Sequence, residues 1–186
     1  MRIGLDLDGV LADLISETLS LYRLSYGKTV KKSEVTSWDY FLKRRRISTA
    51  EQSDLFNRAW NHSSPGLEEE CIPQVLKALK LLGHSITILT HRHKDTHASV
   101  FRWISTNQLP YDNLLFLSNK EDKMDYPIDV LVDDHPVTVE KAINHPSKTL
   151  LLKSQPWNRN TKITLPNVRR IESLEELLSG GLLDHV

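Results

Sequence analysis

This sequence has a single cysteine, no net charge and no long apolar run. Cys71 is the single cysteine among 186 residues, which excludes an internal disulfide and suits a reducing compartment. Lysine plus arginine and aspartate plus glutamate number 24 each, so no net positive field attracts nucleic acid or an anionic membrane. We therefore expect neither nucleic acid nor a membrane among its partners.

The length and the amino-terminal residues bear on the location of the protein and on its number of domains. No apolar run reaches the roughly 18 residues that a membrane-spanning helix requires. A strand-like pattern that begins at Arg2 leaves no room for a signal peptide before it. A chain of 186 residues suffices for one hydrophobic core with a small insert. We expect a cytoplasmic protein, and the sequence leaves its oligomeric state open.

The first predicted strand ends in two acidic side chains. Apolar residues alternate over 3–7 as in a buried strand, and Asp6 and Asp8 stand at its carboxyl end. Two close carboxylates beside an apolar core favour a bound cation, and oxygen ligands favour Mg²⁺. Gly9 would let the backbone turn sharply against a ligand. The alternative for an isolated Asp-x-Asp-Gly is a strand end with solvated acids.

Between this strand and residue 71 the pattern becomes helical. Apolar residues over 14–24 can form one face of a helix that Gly27 would end. Ser48 and Glu51 form a capping-box pattern that starts a second helix. We therefore predict a small helical cap at 14–71, inserted after the first strand of a core made of 1–13 and 72–186.

From residue 72 onward, strand-like and helix-like stretches alternate. The predicted strands cover 86–89, 114–117, 129–132, 149–152 and 168–171, and the predicted helices cover 73–82, 95–107, 137–144 and a last one that follows a capping box at 173–176. This alternation predicts an α/β fold, a Rossmann-like parallel sheet covered by helices in three layers. Ligands gather outside the carboxyl ends of such strands, so Asp6, Thr90 and Asp133 can share one crevice.

Four motifs in this order resemble the haloacid dehalogenase superfamily of phosphatases. They are an Asp-x-Asp, a threonine, a lysine and paired acids, which here are Asp6 and Asp8, Thr90, Lys123 or Lys120, and Asp133-Asp134. Three segments, 6–13, 132–136 and 155–158, are similar to the 5′(3′)-deoxyribonucleotidase family and its bacterial nucleotidase relatives. The third, Gln155-Pro-Trp-Asn158, is explained by a proline turn with a packed tryptophan, and we expect no catalytic role for it.

Phosphoryl-transfer chemistry and the resemblance give the first two acids the same roles. Asp6 would attack phosphorus to form an aspartyl-phosphate, and Asp8 would protonate the leaving oxygen and then deprotonate water. The resemblance implies Mg²⁺ on Asp6 and on the backbone carbonyl of Asp8. Asp133 would complete the metal site, with Asp134 binding through water or orienting a ligand. The alternative for Asp133-Asp134 is a solvated helix start.

Phosphate contacts are expected from Thr90, His91 and one lysine. The Thr90 hydroxyl and the backbone N–H groups after it can face a phosphate oxygen. The resemblance places the lysine about ten residues before the paired acids, which favours Lys123, ten residues before Asp133, over Lys120. His91-Arg92 departs from the Thr-Ser pairing of the better-known nucleotidases, so the contacts at this position stay open.

Substrate choice is expected to lie in the cap, because the core residues all address phosphate. Trp38 and Tyr40 could stack on a nucleobase, although packing within the cap is the commoner role of such aromatic residues. Leu14 stands where the animal enzymes of the family have an aromatic residue that faces the base. We predict a Mg²⁺-dependent phosphomonoesterase acting on nucleoside or deoxynucleoside monophosphates. The alternatives are a sugar-phosphate or phosphoglycolate phosphatase and a non-catalytic nucleotide- or protein-binding scaffold.

Overall fold

A six-stranded parallel sheet lies at the centre of the computed structural model, which describes residues 1–179. Its strands are β1 (Arg2–Leu5), β4 (Ser85–Thr90), β5 (Asn113–Phe116), β6 (Val130–Asp133), β7 (Thr149–Lys153) and β8 (Val168–Ile171). The numbering follows the chain and includes a two-stranded antiparallel ribbon of β2 (Ala12–Asp13) and β3 (Gly66–Leu67). The order across the sheet is β5-β4-β1-β6-β7-β8, so β1 lies between β4 and β6.

The register of these strands brings their carboxyl ends together. Leu5 pairs with Ile88 on one side and with Val132 on the other. The apolar side chains of β1 and β6 are fully buried, as in a parallel sheet with helices on both faces. The chain runs outward from β1 in both directions, and this reversal of strand order is where α/β proteins place their ligands.

Six α-helices accompany the sheet in the described part of the chain. They are α1 (Leu14–Tyr26), α2 (Tyr40–Lys43), α3 (Thr49–Arg58), α4 (Ile72–Leu81), α5 (His97–Thr106) and α6 (Pro136–Lys141). Short 3₁₀ turns lie at Lys32–Glu34, Lys94–Thr96, Lys123–Asp125, Ala142–Asn144 and Leu174–Leu178, and a π turn follows α3 at Ala59–Ser63. No helix within residues 1–179 is both long enough and apolar enough to cross a membrane.

The predicted α/β fold is confirmed, and most predicted elements end within one or two residues of the observed bounds. Gly27 ends α1 in the left-handed conformation, with φ 67° and its N–H donating to the Arg23 carbonyl at 2.8 Å. Ser48 and Glu51 form the expected capping box at the start of α3. The last predicted helix is a 3₁₀ turn after Ser173. Residues 180–186 of the predicted core lie outside the described residues.

The segment 14–71 shares one hydrophobic cluster with the sheet. Its buried rings, including Tyr22 and Phe41, belong to the same hydrophobic cluster as Ile3 of β1. The ribbon pairs Ala12 with Leu67 and so joins the two ends of the segment. Its division from the rest of the chain as a cap stays a prediction.

Glu69 connects the segment after β3 to the carboxyl-terminal turn. Its carboxylate accepts hydrogen bonds from the Ser173 hydroxyl and the Leu174 N–H, and it lies 3.0 Å from the Lys153 ammonium. Burial alone would raise the pKa of Glu69, but the hydrogen bonds from Ser173 and Lys153 and the charge of Lys153 bring it below the ordinary value. The ionised form therefore stabilises the fold.

Glu69→Gln should lower the free energy of unfolding by about 1–2 kcal/mol at pH 7, because Lys153 loses its counter-ion. A carboxylate whose pKa falls on folding stabilises above its unfolded pKa, and this contribution disappears as pH falls through the folded pKa. Urea unfolding should therefore separate variant and wild type at pH 7 and bring them together in acid. Glu70→Gln, an exposed neighbour, is the control. An equal effect of both substitutions would contradict this role of Glu69.

Candidate active site

Three strand ends meet where β1 lies between β4 and β6. Asp6 follows β1 directly, Thr90 is the last residue of β4 and Asp133 is the last residue of β6. All three are buried, and so are Lys123 and Asp134. They line one cavity of about 350 Å³. Buried ionisable groups that converge in a cavity mark a candidate functional site.

Lys123 holds the two strand-end carboxylates together. Its ammonium lies 2.7 Å from Asp6 Oδ2 and donates a hydrogen bond to Asp133 Oδ2 at 2.9 Å. The second oxygen of each acid accepts a backbone N–H at 2.7 Å, from Leu7 for Asp6 and from His135 for Asp133. Burial opposes the charge of Lys123, but the two carboxylates outweigh it and raise its pKa. Lys123 is therefore a fixed cation, whereas Lys120 is exposed and does not line the cavity.

The acidic group of the site has the chemistry of a metal centre. Asp6, Asp133 and Asp134 each offer a carboxylate oxygen, and these oxygens lie within 4.8 Å of one another. Burial raises the pKa of Asp6 to about 7 and raises that of Asp134 well above its ordinary value. The single positive charge of Lys123 therefore does not balance three carboxylates. Asp134 Oδ1 is buried without a hydrogen-bond partner, so the residues present fit a hard divalent cation.

Asp134 is held by the segment 155–158, for which the sequence predicted a packed proline turn and no catalytic role. The Trp157 indole donates to Asp134 Oδ2 at 2.9 Å, and the Asn158 amide donates to the Asp134 carbonyl at 2.8 Å. Gln155 donates to the Gly9 carbonyl at 2.8 Å. The only signal for this in the sequence was the similarity of segment 155–158 to the nucleotidases. The structure also brings the Asp134 side chain into the acidic group itself.

The carboxylate of Asp8 has a separate set of partners. Trp60 Nε1 donates to its Oδ1 at 3.0 Å, and Arg92 Nε lies 2.8 Å from its Oδ2. The predicted strand alternation does not extend this far, because β1 ends at Leu5. Asp8 lines the same cavity as Asp6. The two acids of the motif are therefore neighbours in one cavity with different contacts.

Thr90 and His91 both line the cavity beside these acids. Thr90 is almost completely buried. Nε2 of His91 donates to the Glu121 carbonyl at 3.0 Å, and burial lowers the pKa of this histidine. A neutral ring with one nitrogen already engaged offers little charge to a phosphate. Arg92, which follows it, supplies the cation on this side of the cavity.

The cap residues predicted for the substrate fall into two groups. Leu14 and Trp38 line the cavity, and the Trp38 ring, 49 % exposed, lies 3.8 Å from the His135 ring centroid. Tyr40 does not line it. Its ring packs edge-on against Phe41 and its hydroxyl accepts a hydrogen bond from Arg45. Successive residues of a helix point about 100° apart, so Phe41 rather than Tyr40 reaches the cavity.

The fold and this arrangement of acids define a hydrolase of the haloacid dehalogenase superfamily. A solved haloacid dehalogenase family hydrolase from Deinococcus radiodurans R1, with bound phosphate and sodium, superposes with a TM-score of 0.61 at 17 % identity, over 95 % of this chain and 92 % of that one. Residues 1–178 match the model of the family "5′ nucleotidase, deoxy (Pyrimidine), cytosolic type C protein". The chain belongs to this family, and it is a phosphatase.

Curated relatives support the same assignment. A Bacillus cereus protein with the provisional name nucleotidase is 24 % identical over 95 % of this chain and 96 % of its own length. A Chlorobaculum tepidum protein, provisionally named 5′(3′)-deoxyribonucleotidase, is 28 % identical over 74 % of this chain and 71 % of its own length. The match to the first relative covers nearly the whole of both chains.

Lys123→Ala should lower kcat by about 100-fold or more, because it removes a fixed cation from the site of charge development. Lys120→Ala is the matched control, and we expect it to stay within about twofold of wild type, since an exposed lysine away from the cavity makes no such contribution. Steady-state phosphate release, with circular dichroism to check folding, measures both. An equal loss in the two variants, or a larger one in Lys120→Ala, would move the role away from Lys123.

Gly9→Ala should abolish most activity by displacing Asp134. Gly9 has φ +76°, and a Cβ there would meet Asp134 Oδ2 at 2.3 Å. Gly83 has φ +83° with nothing within 4 Å of a Cβ, so Gly83→Ala bears the same backbone strain alone. Backbone strain should cost both variants about 1–2 kcal/mol of unfolding free energy, the overlap should cost Gly9→Ala more, and only Gly9→Ala should lose phosphatase activity. Wild-type turnover in Gly9→Ala would show that the position of Asp134 is unimportant.

Proposed function

We propose that this phosphatase hydrolyses nucleoside or deoxynucleoside monophosphates with Mg²⁺, through an aspartyl-phosphate on Asp6. One observation carries the proposal: a buried lysine bridges Asp6 and Asp133 in a cavity that the aromatic rings of Trp38, Phe41 and Phe56 also line. The lysine suits a phosphate, and the aromatic rings suit an apolar, flat leaving group. The family to which the chain belongs takes its name from deoxynucleotides.

Asp6 is the proposed nucleophile. Its Oδ2 lies against Lys123 and its Oδ1 accepts the Leu7 N–H, so the carboxylate is held in one orientation before substrate arrives. Lys123 would also stabilise the negative charge that develops on the phosphoryl oxygens. Thr90, buried at the end of β4, is the proposed donor to one of those oxygens.

The proposed Mg²⁺ ligands are Asp6, the backbone carbonyl of Asp8, Asp133 and Asp134, the last directly or through water. Bound there, Mg²⁺ would neutralise the repulsion between carboxylate and phosphate. Asp8 is the proposed acid and base: it donates a proton to the leaving oxygen and then accepts one from water. The two displacements divide the reaction at the aspartyl-phosphate.

The cap supplies the evidence for a nucleotide. Trp38 presents an exposed ring at the cavity, and Phe41 and Phe56 line it as well. Burial lowers the pKa of His135 to about 4, so the ring beside Trp38 is neutral at pH 7. These rings favour stacking on a base, and the charged side chains of Arg92 and Lys141 line the same cavity. We propose that residues 14–71 form a cap that selects the substrate in this way.

A sugar-phosphate or phosphoglycolate phosphatase is the alternative function. The core would be the same, because its residues address phosphate alone. The aliphatic Leu14 favours this alternative, since the animal nucleotidases have an aromatic residue at the corresponding position. A compact leaving group would then bind in the same cavity, which Leu14 and Trp38 both line.

Phosphate release from 5′- and 3′-ribo- and deoxynucleotides, sugar phosphates and phosphoglycolate, with Mg²⁺ or a chelator, tests the proposal. We expect Mg²⁺-dependent release from nucleotides and about 100-fold less in the chelator. Asp6→Asn should be inactive on every substrate and folded, and Asp129→Asn, an acid at the opposite end of the sheet, is its control. Release from sugar phosphates alone would exclude the nucleotidase function. Activity in Asp6→Asn would exclude Asp6 as the nucleophile.

A further inference from the structure

We propose that Trp60 is a positioning residue that orients the Asp8 carboxylate for proton transfer. The proposal rests on the proposed function, because it takes Asp8 as the acid and base of the reaction. Trp60 is 2 % exposed and comes from the segment 14–71, whereas Asp8 follows the first core strand. The contact therefore joins the predicted cap to the chemistry of the core.

Each oxygen of Asp8 has its own partner. Trp60 Nε1 donates to Oδ1 at 3.0 Å, and Arg92 Nε lies 2.8 Å from Oδ2. An indole N–H is a donor only, so Oδ1 is held as an acceptor. The proton that Asp8 exchanges during the reaction is consequently carried on Oδ2. Trp60 thus selects which oxygen of the carboxylate performs the proton transfer.

The position of Trp60 does not depend on Asp8 alone. Its ring packs edge-on against Trp103 of α5, with ring centroids 5.6 Å apart. The next residue, Asn61, accepts a hydrogen bond from Ser99 of α5 at 2.8 Å. Trp60 lies in the π turn Ala59–Ser63, a feature that occurs often at functional sites. The indole is therefore fixed by the core helix before any substrate binds.

Arg92 is the second residue in contact with the Asp8 carboxylate. Its Nε and Nη1 are buried without a hydrogen-bond partner, so its contact with Asp8 Oδ2 is an ion pair only, and the residue lines the cavity that also holds Asp6. A phosphate bound in this cavity offers Arg92 a better partner than the single oxygen of Asp8. Arg92 would then leave Oδ2 free for the proton, while Trp60 keeps the carboxylate from rotating.

The step that Trp60 assists is balanced in protons and electrons. Asp6 forms a bond to phosphorus as the bond from phosphorus to the leaving oxygen breaks, and its electron pair stays with that oxygen. The leaving oxygen takes the proton from Asp8 Oδ2. In the second displacement, water bonds to phosphorus and returns a proton to Asp8, and the acyl-phosphate bond breaks to regenerate Asp6 and release phosphate.

The test compares two leaving groups in two tryptophan variants. An alkyl leaving group needs the proton from Asp8, whereas p-nitrophenolate leaves without one, and kcat/KM reports the first displacement for both. Trp60→Phe removes the N–H to Asp8. Trp103→Phe is the control, because it keeps an aromatic ring against Trp60 and removes only an N–H that donates to the Pro65 carbonyl. The substrates are p-nitrophenyl phosphate and the alkyl phosphate that wild type hydrolyses fastest.

We expect Trp60→Phe to lower kcat/KM for the alkyl phosphate about tenfold more than for the aryl phosphate, as a misplaced general acid predicts. Trp103→Phe should leave this ratio as in wild type. Equal losses on both substrates in Trp60→Phe, or the same ratio in both variants, would overturn the proposal. If Trp60→Phe does not fold, benzothienylalanine at position 60 keeps the ring shape without the N–H and gives the same comparison.

Asp8→Asn separates this proposal from the proposed function. If Asp8 is the acid, Asp8→Asn should lower the alkyl value about 10²–10⁴-fold more than the aryl value. A selective loss in Asp8→Asn together with an unchanged ratio in Trp60→Phe would overturn only the role of Trp60. The absence of a selective loss in Asp8→Asn would overturn the role of Asp8, and the inference about Trp60 with it.

Discussion

The bridge of Lys123 between Asp6 and Asp133 is the interaction on which the site depends. The parallel pairing of β1 with β6 brings two carboxylates to adjacent strand ends inside the protein. Buried like charges repel strongly, and each also loses its hydration. A single ammonium group, 2.7 Å from one acid and 2.9 Å from the other, compensates part of this cost. The remaining negative charge, to which Asp134 adds, would attract a cation. That cation would in turn offset the repulsion between the acids and a phosphoryl group.

The two acids of the Asp-x-Asp motif lie close together but contact different residues. Asp6 contacts residues of the core, among them Lys123 and the backbone of Leu7. Asp8 contacts Trp60 from the predicted cap and Arg92 from the end of β4. The nucleophile must face phosphorus and the acid must face the leaving oxygen, so different contacts for the two carboxylates suit the two proposed roles.

The sequence predicted the parts of the site that local patterns encode. Alternating apolar residues locate the strand ends, and the rule that ligands gather at the carboxyl ends of parallel strands is enough to bring Asp6, Thr90 and Asp133 together. The spacing that favoured Lys123 belongs to the resemblance. The contacts of Trp60 with Asp8 and of Trp157 with Asp134 join residues 52 and 23 positions apart, and no periodicity encodes such pairs. Tyr40 and Phe41 are adjacent aromatic residues, and only the helix rotation decides which one faces the cavity.

The two tryptophans of segment 14–71, Trp38 and Trp60, lie at different parts of the candidate site. Trp38 is exposed at the cavity, where a leaving group would bind, and Trp60 is buried against Asp8. Both residues lie on the same stretch of chain, which packs on the sheet through a continuous hydrophobic cluster. Trp38 lies where a leaving group would bind, and Trp60 contacts the residue proposed to protonate it. If residues 14–71 select the leaving group as proposed, one segment would contribute both to substrate selection and to the orientation of Asp8.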